Sequence, residues 1–159
     1  MQVFDASSMI EAWDNYPPGQ CPGLWAWMAD RVEKGLIRMS DIAVEEVGHK
    51  VPECIVWLRN ANLRKISVSG AILLEAFRIK GMLDIEEDKY GSGVDENDLI
   101  IIATAKLNDC ELITNEAFQA YASKQKRNWR IPLVCNMDTV NVPWIDFLGY
   151  LKRSKAVFG

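Results

Sequence analysis

Two short apolar segments that run directly into acidic residues place the strongest constraint on the fold. Residues 3–4 precede Asp5, and residues 111–114 precede Glu116. Both segments have the length and composition of buried strands, and segments with helical periodicity lie between them. This alternation predicts an α/β fold, in which a small parallel β-sheet of three or four main strands is flanked by helices on both faces. The length of 159 residues favours a single domain spanning residues 1–159.

Apolar spacing and terminus signals predict the helices. They are expected from a cap at Ser7 or Ser8 through Trp13, from Leu24 to Gly35, from Ser40, from Pro52, and from Ile72 to Gly81. Trp25 lies off the apolar face of the second of these helices and is a candidate for a partner surface. Residues 99–107 are apolar on all sides, which predicts a buried helix after a long polar loop at residues 84–98.

The last third of the chain has weaker patterns. They predict a helix around Phe118, Tyr121 and Ala122, a strand at residues 131–136, and a last helix with Trp144, Leu148 and Leu151 on its apolar face.

Composition and motif content exclude several classes of protein. The four cysteines are far apart and there is one histidine, so no Cys/His zinc site is expected, and the cysteines are predicted to be reduced thiols of a cytoplasmic protein. No signal-peptide pattern opens the chain, and the longest apolar run, residues 99–103, is too short to span a membrane. The sequence has neither a P-loop nor a dinucleotide-binding glycine motif, and His49 is expected to be exposed rather than part of a catalytic triad.

The net charge of −4 argues against a nucleic-acid partner, but the charge is unevenly distributed. Residues 117–137 contain no Asp or Glu, and their cations are Lys124, Lys126, Arg127 and Arg130. This stretch has two interpretations, a solvated surface and an edge that contacts phosphate groups.

Several acids are candidates for one shared site. Asp5 and Glu116 follow strands, and the carboxyl ends of strands form the crevice in which α/β proteins bind ligands. Asp98 opens the buried helix, and Glu45 and Glu46 lie in the helix that starts at Ser40.

Each acid also has a structural interpretation, and spacing alone does not choose between the two. Asp5 can cap the first helix, Asp95 and Asp98 have the spacing of a capping box, and the glutamates can be solvated helix residues. If the acids converge, their repulsion raises pKa values and favours a bound cation. Oxygen ligands without His or Cys select Mg²⁺ or Mn²⁺, which can activate water at a phosphoryl group. The sequence therefore predicts metal-assisted phosphodiester hydrolysis.

Four motifs, in this order, resemble the PIN-domain ribonucleases. They are VFDASSMI at residues 3–10, AVEEV at 43–47, DLIIIATAKL at 98–107 and ELITNE at 111–116. The resemblance covers nearly the whole chain, and YPP, the Trp-rich second helix and RIP resemble one branch that is catalogued as a domain of unknown function. The resemblance implies a PIN-like α/β/α sandwich.

The family's acidic positions correspond to acids of this chain. By resemblance, the catalytic and metal-binding residues are Asp5, Glu46, Asp98 and Glu116, with Glu45 as the alternative to Glu46. The family usually has Asp at the position of Glu116, so the charge is kept but the reach differs by one methylene. Ser7 and Thr114 are expected to support the acids by hydrogen bonds, and Asp95 either binds metal through water or only caps the helix.

The resemblance implies a divalent-metal-dependent endoribonuclease, in many members the toxin of a prokaryotic toxin–antitoxin pair. It implies RNA, a cognate antitoxin and a second copy of the chain as partners, no membrane, and Mg²⁺ or Mn²⁺ as cofactor. The basic stretch from Lys124 to Arg130 is expected to face RNA, with Trp129 either stacked on a base or, as we prefer, packed in the core or an interface. Two alternatives stay open: a PIN-like binding module with weakened catalysis, and a DNA-directed nuclease of the same fold.

Overall fold

The computed structural model describes all residues from Met1 to Gly159. Its centre is a parallel sheet of five strands in the order β3-β2-β1-β4-β5. The strands are β1 Gln2–Phe4, β2 Ile37–Ser40, β3 Lys65–Ile66, β4 Glu111–Ile113 and β5 Trp144–Ile145. The helices are α1 Ala6–Asn15, α2 Pro22–Glu33, α3 Asp41–Lys50, α4 Pro52–Asn60, α5 Gly70–Met82, α6 Glu96–Leu107, α7 Ile131–Cys135 and α8 Phe147–Ser154. The predicted α/β fold is confirmed, with five strands instead of three or four.

The strand order changes direction between β1 and β4, which lie side by side in the sheet. From β1 the chain proceeds to β2 and β3 on one side, whereas β4 leads to β5 on the other side. Such a point opens a crevice at the carboxyl ends of the strands, where α/β proteins bind ligands. Phe4 is in register with Ile113, so Asp5 and Thr114 leave the sheet next to each other.

The first helix begins at Ala6, earlier than predicted. Asp5 occupies the N-cap position, but its side chain makes no capping hydrogen bond, so the interpretation of Asp5 as a side-chain cap is wrong. The prediction of a cap at Ser7 or Ser8 is wrong too, because both lie inside the helix. Ser8 Oγ is buried and lies 2.8 Å from the carbonyl oxygens of both Asp5 and Ile113. It therefore joins the start of α1 to β4.

The helices that carry the other acids have the predicted caps. The side chain of Ser40 accepts a hydrogen bond from Ile42 N at the start of α3. The predicted buried helix is confirmed as α6, which contacts α3, α5, α7, β1 and β4. The preceding polar loop ends at Asp95, because α6 starts three residues earlier than its apolar segment.

Three predictions for the last third of the chain are wrong. Residues 118–122 form no helix: Tyr121 is 96% exposed, and Phe118 stacks on the Trp144 ring instead of facing the core. The predicted strand at 131–136 is the short helix α7, whose first turn contains Pro132. Proline suits that position, and a short, mostly buried segment has no periodicity that separates strand from helix. Trp144 opens β5, and the last helix starts only at Phe147.

The prediction that Trp25 faces a partner is also wrong. Its side chain is 3% exposed, and its ring makes edge contacts with Trp13 and Trp57, with centroids 5.1 and 4.7 Å away. Its Nε1 donates a hydrogen bond to Tyr16 O at 2.5 Å, which satisfies the one polar group of the indole. Trp25 thus closes the core between α1, α2 and α4.

Two further observations concern the cysteines and the helices. All four cysteines are free thiols, and burial raises the pKa of Cys54 and of Cys135 to about 12. None of the helices combines the length and the apolar character that a membrane span requires.

Replacement of Trp25 tests its place in the core. We expect Trp25→Ala to lower the free energy of unfolding by about 3–5 kcal/mol, because it leaves a cavity between three helices. Phe77→Ala is the matched control, since Phe77 is 73% exposed, and it should change the stability by no more than about 0.5 kcal/mol. Urea denaturation measures both values. Equal effects of the two substitutions would contradict the core position of Trp25.

Candidate active site

A cavity of about 420 Å³ opens at the carboxyl ends of β1 and β4. Five carboxylate side chains line it, together with two basic ones and a few small or apolar residues. The lining residues are Asp5, Ala6, Ser7, Ile10, Glu46, His49, Lys50, Gly93, Asp95, Asp98 and Glu116. We call this the acidic cavity. All four acids that the PIN resemblance singles out therefore lie around one space, although they come from four separate parts of the chain.

Asp5 is the most buried of these acids, with 3% of its surface exposed. Its Oδ2 accepts hydrogen bonds from Ser7 Oγ at 2.6 Å and from Thr114 Oγ1 at 3.0 Å. Burial raises the pKa of Asp5, while the hydrogen bonds from Ser7 and Thr114 oppose that rise. No Lys or Arg forms an ion pair with Asp5. The two hydroxyl groups thus orient a carboxylate whose charge has no cationic partner in the protein.

Asp98 has both of the roles that the sequence leaves open. Its backbone N–H donates to Asp95 Oδ1 at 2.8 Å, and its Oδ2 accepts from Asp95 N at 3.0 Å, which completes a capping box. The same side chain lines the acidic cavity. Burial, followed by the charges of Glu116 and Asp95, raises the pKa of Asp98 to about 9. The capping box therefore fixes the position of an acid that is strongly destabilised in its charged form.

Glu116 reaches the cavity from the loop after β4. Its Oε2 accepts a hydrogen bond from Ile131 N at 3.0 Å, and its own backbone N–H donates to Thr114 Oγ1 at 3.3 Å. Burial raises the pKa of Glu116, and the Ile131 N–H and the charge of Arg130 counteract that rise. One carboxylate oxygen thus anchors the side chain to the start of α7.

The geometry separates Glu46 from Glu45. Glu46 is half-buried, lines the acidic cavity, and accepts a hydrogen bond from Asn97 Nδ2 at 3.2 Å. Burial raises its pKa, and the charge of Asp5 contributes to the same shift. Glu45 is exposed and does not line the cavity. Of the two, Glu46 is the acid that can act together with Asp5.

The donor set suits a hard divalent cation, although the side chains are not gathered around one point. No three His, Cys, Asp or Glu side chains are close enough together to hold a metal ion as they stand. Five carboxylates nevertheless share the acidic cavity, and none of them forms an ion pair. Burial raises the pKa of four of them, Asp5, Glu46, Asp98 and Glu116, and a bound Mg²⁺ or Mn²⁺ would stabilise their charged forms.

Two basic residues of the cavity were not among the predicted site residues. His49 and Lys50 line the acidic cavity, three and four positions after Glu46 on α3. Residues at those spacings share a helix face. Once Glu46 is assigned to the site, helical spacing therefore predicts that His49 and Lys50 lie beside it. His49 is exposed, as predicted, but it is exposed at the mouth of this cavity.

The predicted basic residues lie outside the acidic cavity. Lys124, Lys126 and Arg127 line a separate cavity of about 280 Å³, and Arg130 is the one whose charge acts on Glu116. We call these four residues the basic edge. Trp129 is half-buried against the core and donates from Nε1 to a backbone oxygen, so it packs inside the protein, as preferred from the sequence.

A protein-family model, described as a domain of unknown function (DUF4411), matches residues 2–158. The chain belongs to the DUF4411 family. No curated protein matches it. A similar solved structure is VapBC2 from Rickettsia felis bound to a DNA fragment from their promoter. That likeness has a TM-score of 0.55 at 15% sequence identity, and it covers 91% of this chain and 97% of the other.

These similarities describe the fold of this DUF4411 member and leave its chemistry unassigned. The solved structure supports the PIN-like α/β fold that the sequence motifs imply. At this level of identity it assigns no catalytic residue, metal or substrate. The case for an active site in the DUF4411 chain therefore depends on its own acids.

The raised pKa of Asp98 gives a pH dependence that can be measured. Folded Asp98 keeps its proton up to a pKa of about 9, whereas an unfolded Asp releases it near pH 4. The folded state binds more protons between these values, so its contribution to stability decreases as the pH rises through that window. Asp98→Asn keeps the oxygen that accepts from Asp95 N but cannot ionise. We expect it to reduce the fall in melting temperature between about pH 5 and pH 9 in metal-free buffer.

Asp138→Asn is the control for this experiment, since Asp138 is exposed and does not line the acidic cavity. Its pH profile should follow that of the wild type. A wild-type slope that persists unchanged in Asp98→Asn would refute the assignment of the pH dependence to Asp98.

Proposed function

We propose that this protein is a divalent-metal-dependent endoribonuclease that hydrolyses RNA phosphodiester bonds. The observation that carries the proposal is the burial of Asp5, without a cationic partner, in a cavity that also contains Asp98, Glu116 and Glu46. Charged carboxylates grouped in this way destabilise the folded state unless they bind a cation or a proton, and such groups are frequent at functional sites. The order of the PIN-like motifs along the chain supports the same chemistry.

Each acid has a part in this proposal. Asp5, Glu46, Asp98 and Glu116 would hold Mg²⁺ or Mn²⁺. The bound ion would supply an activated water and neutralise charge on the phosphoryl group. Ser7 and Thr114 orient Asp5 through their hydroxyl groups, and Asp95 fixes Asp98 through the capping box. Glu116 keeps one oxygen free for the site, because only the other is bound to the Ile131 N–H.

RNA would contact the cations near this site. Lys50 supplies a positive charge in the lining of the acidic cavity, and the charge of Arg130, from the basic edge, acts on Glu116. Phosphate contacts by Lys and Arg position a strand without reading its sequence. We assign no base-stacking role to Trp129, because its ring is packed against the core.

A toxin–antitoxin pair would provide the partners. In this proposal the single-domain chain is a cytoplasmic toxin that forms a homodimer and is neutralised by a cognate antitoxin. Leu73, Leu74 and Phe77 leave half or more of their surface exposed on α5, which gives an apolar face for a protein contact. The acids lack an internal cation, so a basic side chain of an antitoxin would find unpaired carboxylates. The fold similarity to VapBC2 supports this assignment.

Cleavage of RNA with and without metal tests the proposal. We expect the wild type to cleave single-stranded RNA in Mg²⁺ or Mn²⁺, and to stop when EDTA is added, because the acids need the ion to activate water. Asp98→Asn should abolish cleavage, and Asp138→Asn should not affect it. If the wild type leaves RNA intact with metal present, the enzyme proposal fails and the binding-module alternative is favoured. Cleavage of single-stranded DNA in preference to RNA would favour the DNA-directed alternative.

The two adjacent glutamates offer a matched pair of variants. Glu46→Gln should lower kcat/KM by about 10- to 100-fold, because it removes a charge from the acidic cavity. Glu45→Gln should stay within about twofold of the wild type, since surface changes away from the site have small effects. Steady-state cleavage of a labelled RNA measures both. A larger loss for Glu45→Gln than for Glu46→Gln would contradict the choice between them.

A further inference from the structure

The polar loop before α6 is joined to the basic edge by hydrogen bonds. Val94 N donates to Trp129 O at 2.8 Å, so the two backbones run against each other. Asn128 Oδ1 accepts from Ser92 N at 3.0 Å and lies 3.3 Å from Ser92 Oγ. We call the contact between residues 91–94 and 127–129 the loop seam.

Two glycines allow this close approach. A Cβ atom on Gly93 would lie 2.1 Å from Trp129 O, and one on Gly91 would lie 2.1 Å from Asn128 Oδ1. Neither distance is possible without movement of the backbone or of the Asn128 side chain. Gly19, by contrast, has no atom within 4 Å of its Cβ position. The seam therefore depends on glycine at residues 91 and 93.

The basic stretch is also attached to the strand side of the acidic cavity. Asn128 O accepts from Gln119 Nε2 at 3.0 Å, and Gln119 Oε1 accepts from Arg130 N at 2.7 Å. The next backbone N–H, that of Ile131, donates to Glu116 Oε2. Residues 128–131 are thus held from both sides of the cavity, by the loop before α6 and by the loop after β4.

The loop seam joins a segment that leads into acids to a segment that follows cations. Gly93 lines the acidic cavity, and Asp95 and Asp98 follow it within five residues. On the other side, Lys126 and Arg127 directly precede Asn128, and neither forms an ion pair. Of the basic edge, Arg130 acts on Glu116 through its charge, whereas Lys126 and Arg127 line the separate cavity without an ion pair and stay available to a negatively charged ligand.

We propose that Asn128 is a positioning residue: through the loop seam it holds the basic edge beside the acidic cavity, so that one single-stranded RNA contacts both at once. This inference rests on the proposed function, because the bound strand is the one that the acids would cleave. It gives the polar loop a second role, in addition to carrying the cap of α6.

A double-mutant cycle on RNA binding tests this inference. Binding of a labelled single-stranded RNA is measured without divalent metal for Gly93→Ala, Arg127→Gln and the double variant. With the seam intact, Arg127→Gln should raise Kd about fivefold and lower the slope of log K against log salt by about one. In the Gly93→Ala background, in which the seam is opened, Arg127→Gln should change Kd by less than about twofold, because the basic edge no longer contacts the RNA that lies in the acidic cavity.

Gly19→Ala is the matched control, since its methyl group enters open space. Arg127→Gln should have its full effect in that background. Asn128→Ala replaces Gly93→Ala in the cycle if the latter does not fold, because it removes one acceptor and introduces no clash. In cleavage, Asn128→Ala should raise KM by about tenfold and leave kcat within about twofold, since the acids are untouched.

Additive effects of Gly93→Ala and Arg127→Gln would overturn the inference, as would a wild type that does not bind RNA. Metal-dependent cleavage combined with additive effects would refute the role of the seam alone. Coupled effects on binding, in a protein that does not cleave RNA with Mg²⁺ or Mn²⁺, would refute the nuclease and leave the role of the seam standing.

Discussion

The burial of the Asp5 carboxylate between β1 and β4 is the interaction on which the site depends. Parallel pairing in register brings Asp5 and Thr114 together, and two hydroxyl groups hold the carboxylate in one orientation. Removing a carboxylate from water costs free energy, and no cation of the protein offsets that cost here. The strand order makes this position a crevice. Asp5 thus affects both the free energy of folding and the geometry of the site.

The other acids are held by contacts that also build the fold. Asp98 completes the cap of a buried helix, Glu116 binds the first N–H of α7, and Glu46 accepts from Asn97. Asp98 and Glu116 cannot be rearranged without the loss of a hydrogen bond at a helix start. The charges that remain unbalanced face the acidic cavity, whereas Lys124, Lys126 and Arg127 of the basic edge line a separate one. A substrate with a negatively charged backbone and a divalent ion would complement the two surfaces together.

Local sequence signals sufficed where the length and the ends of a segment chose the element. The strands before Asp5 and Glu116 could be predicted because short apolar runs lead into acids, and helix α6 could be predicted because its apolar segment continues to Leu107 and ends at Asn108. Residues 131–135 could not, since a five-residue segment with four buried residues has no visible period. Trp25 has an off-face spacing but fills a gap between three helices, which only tertiary packing reveals. Lys50 lines the acidic cavity because it lies on the same face of α3 as Glu46. The loop seam joins segments that are far apart in the sequence, so no local pattern indicates it.

The central claim is that the acidic cavity binds a divalent cation. Anomalous diffraction at the manganese edge, from crystals grown with Mn²⁺, tests it directly. The account predicts manganese peaks inside the cavity, within coordination distance of Asp5 and Asp98, and their loss in Asp98→Asn crystals. A cavity without manganese, at a Mn²⁺ concentration that supports RNA cleavage, would contradict it.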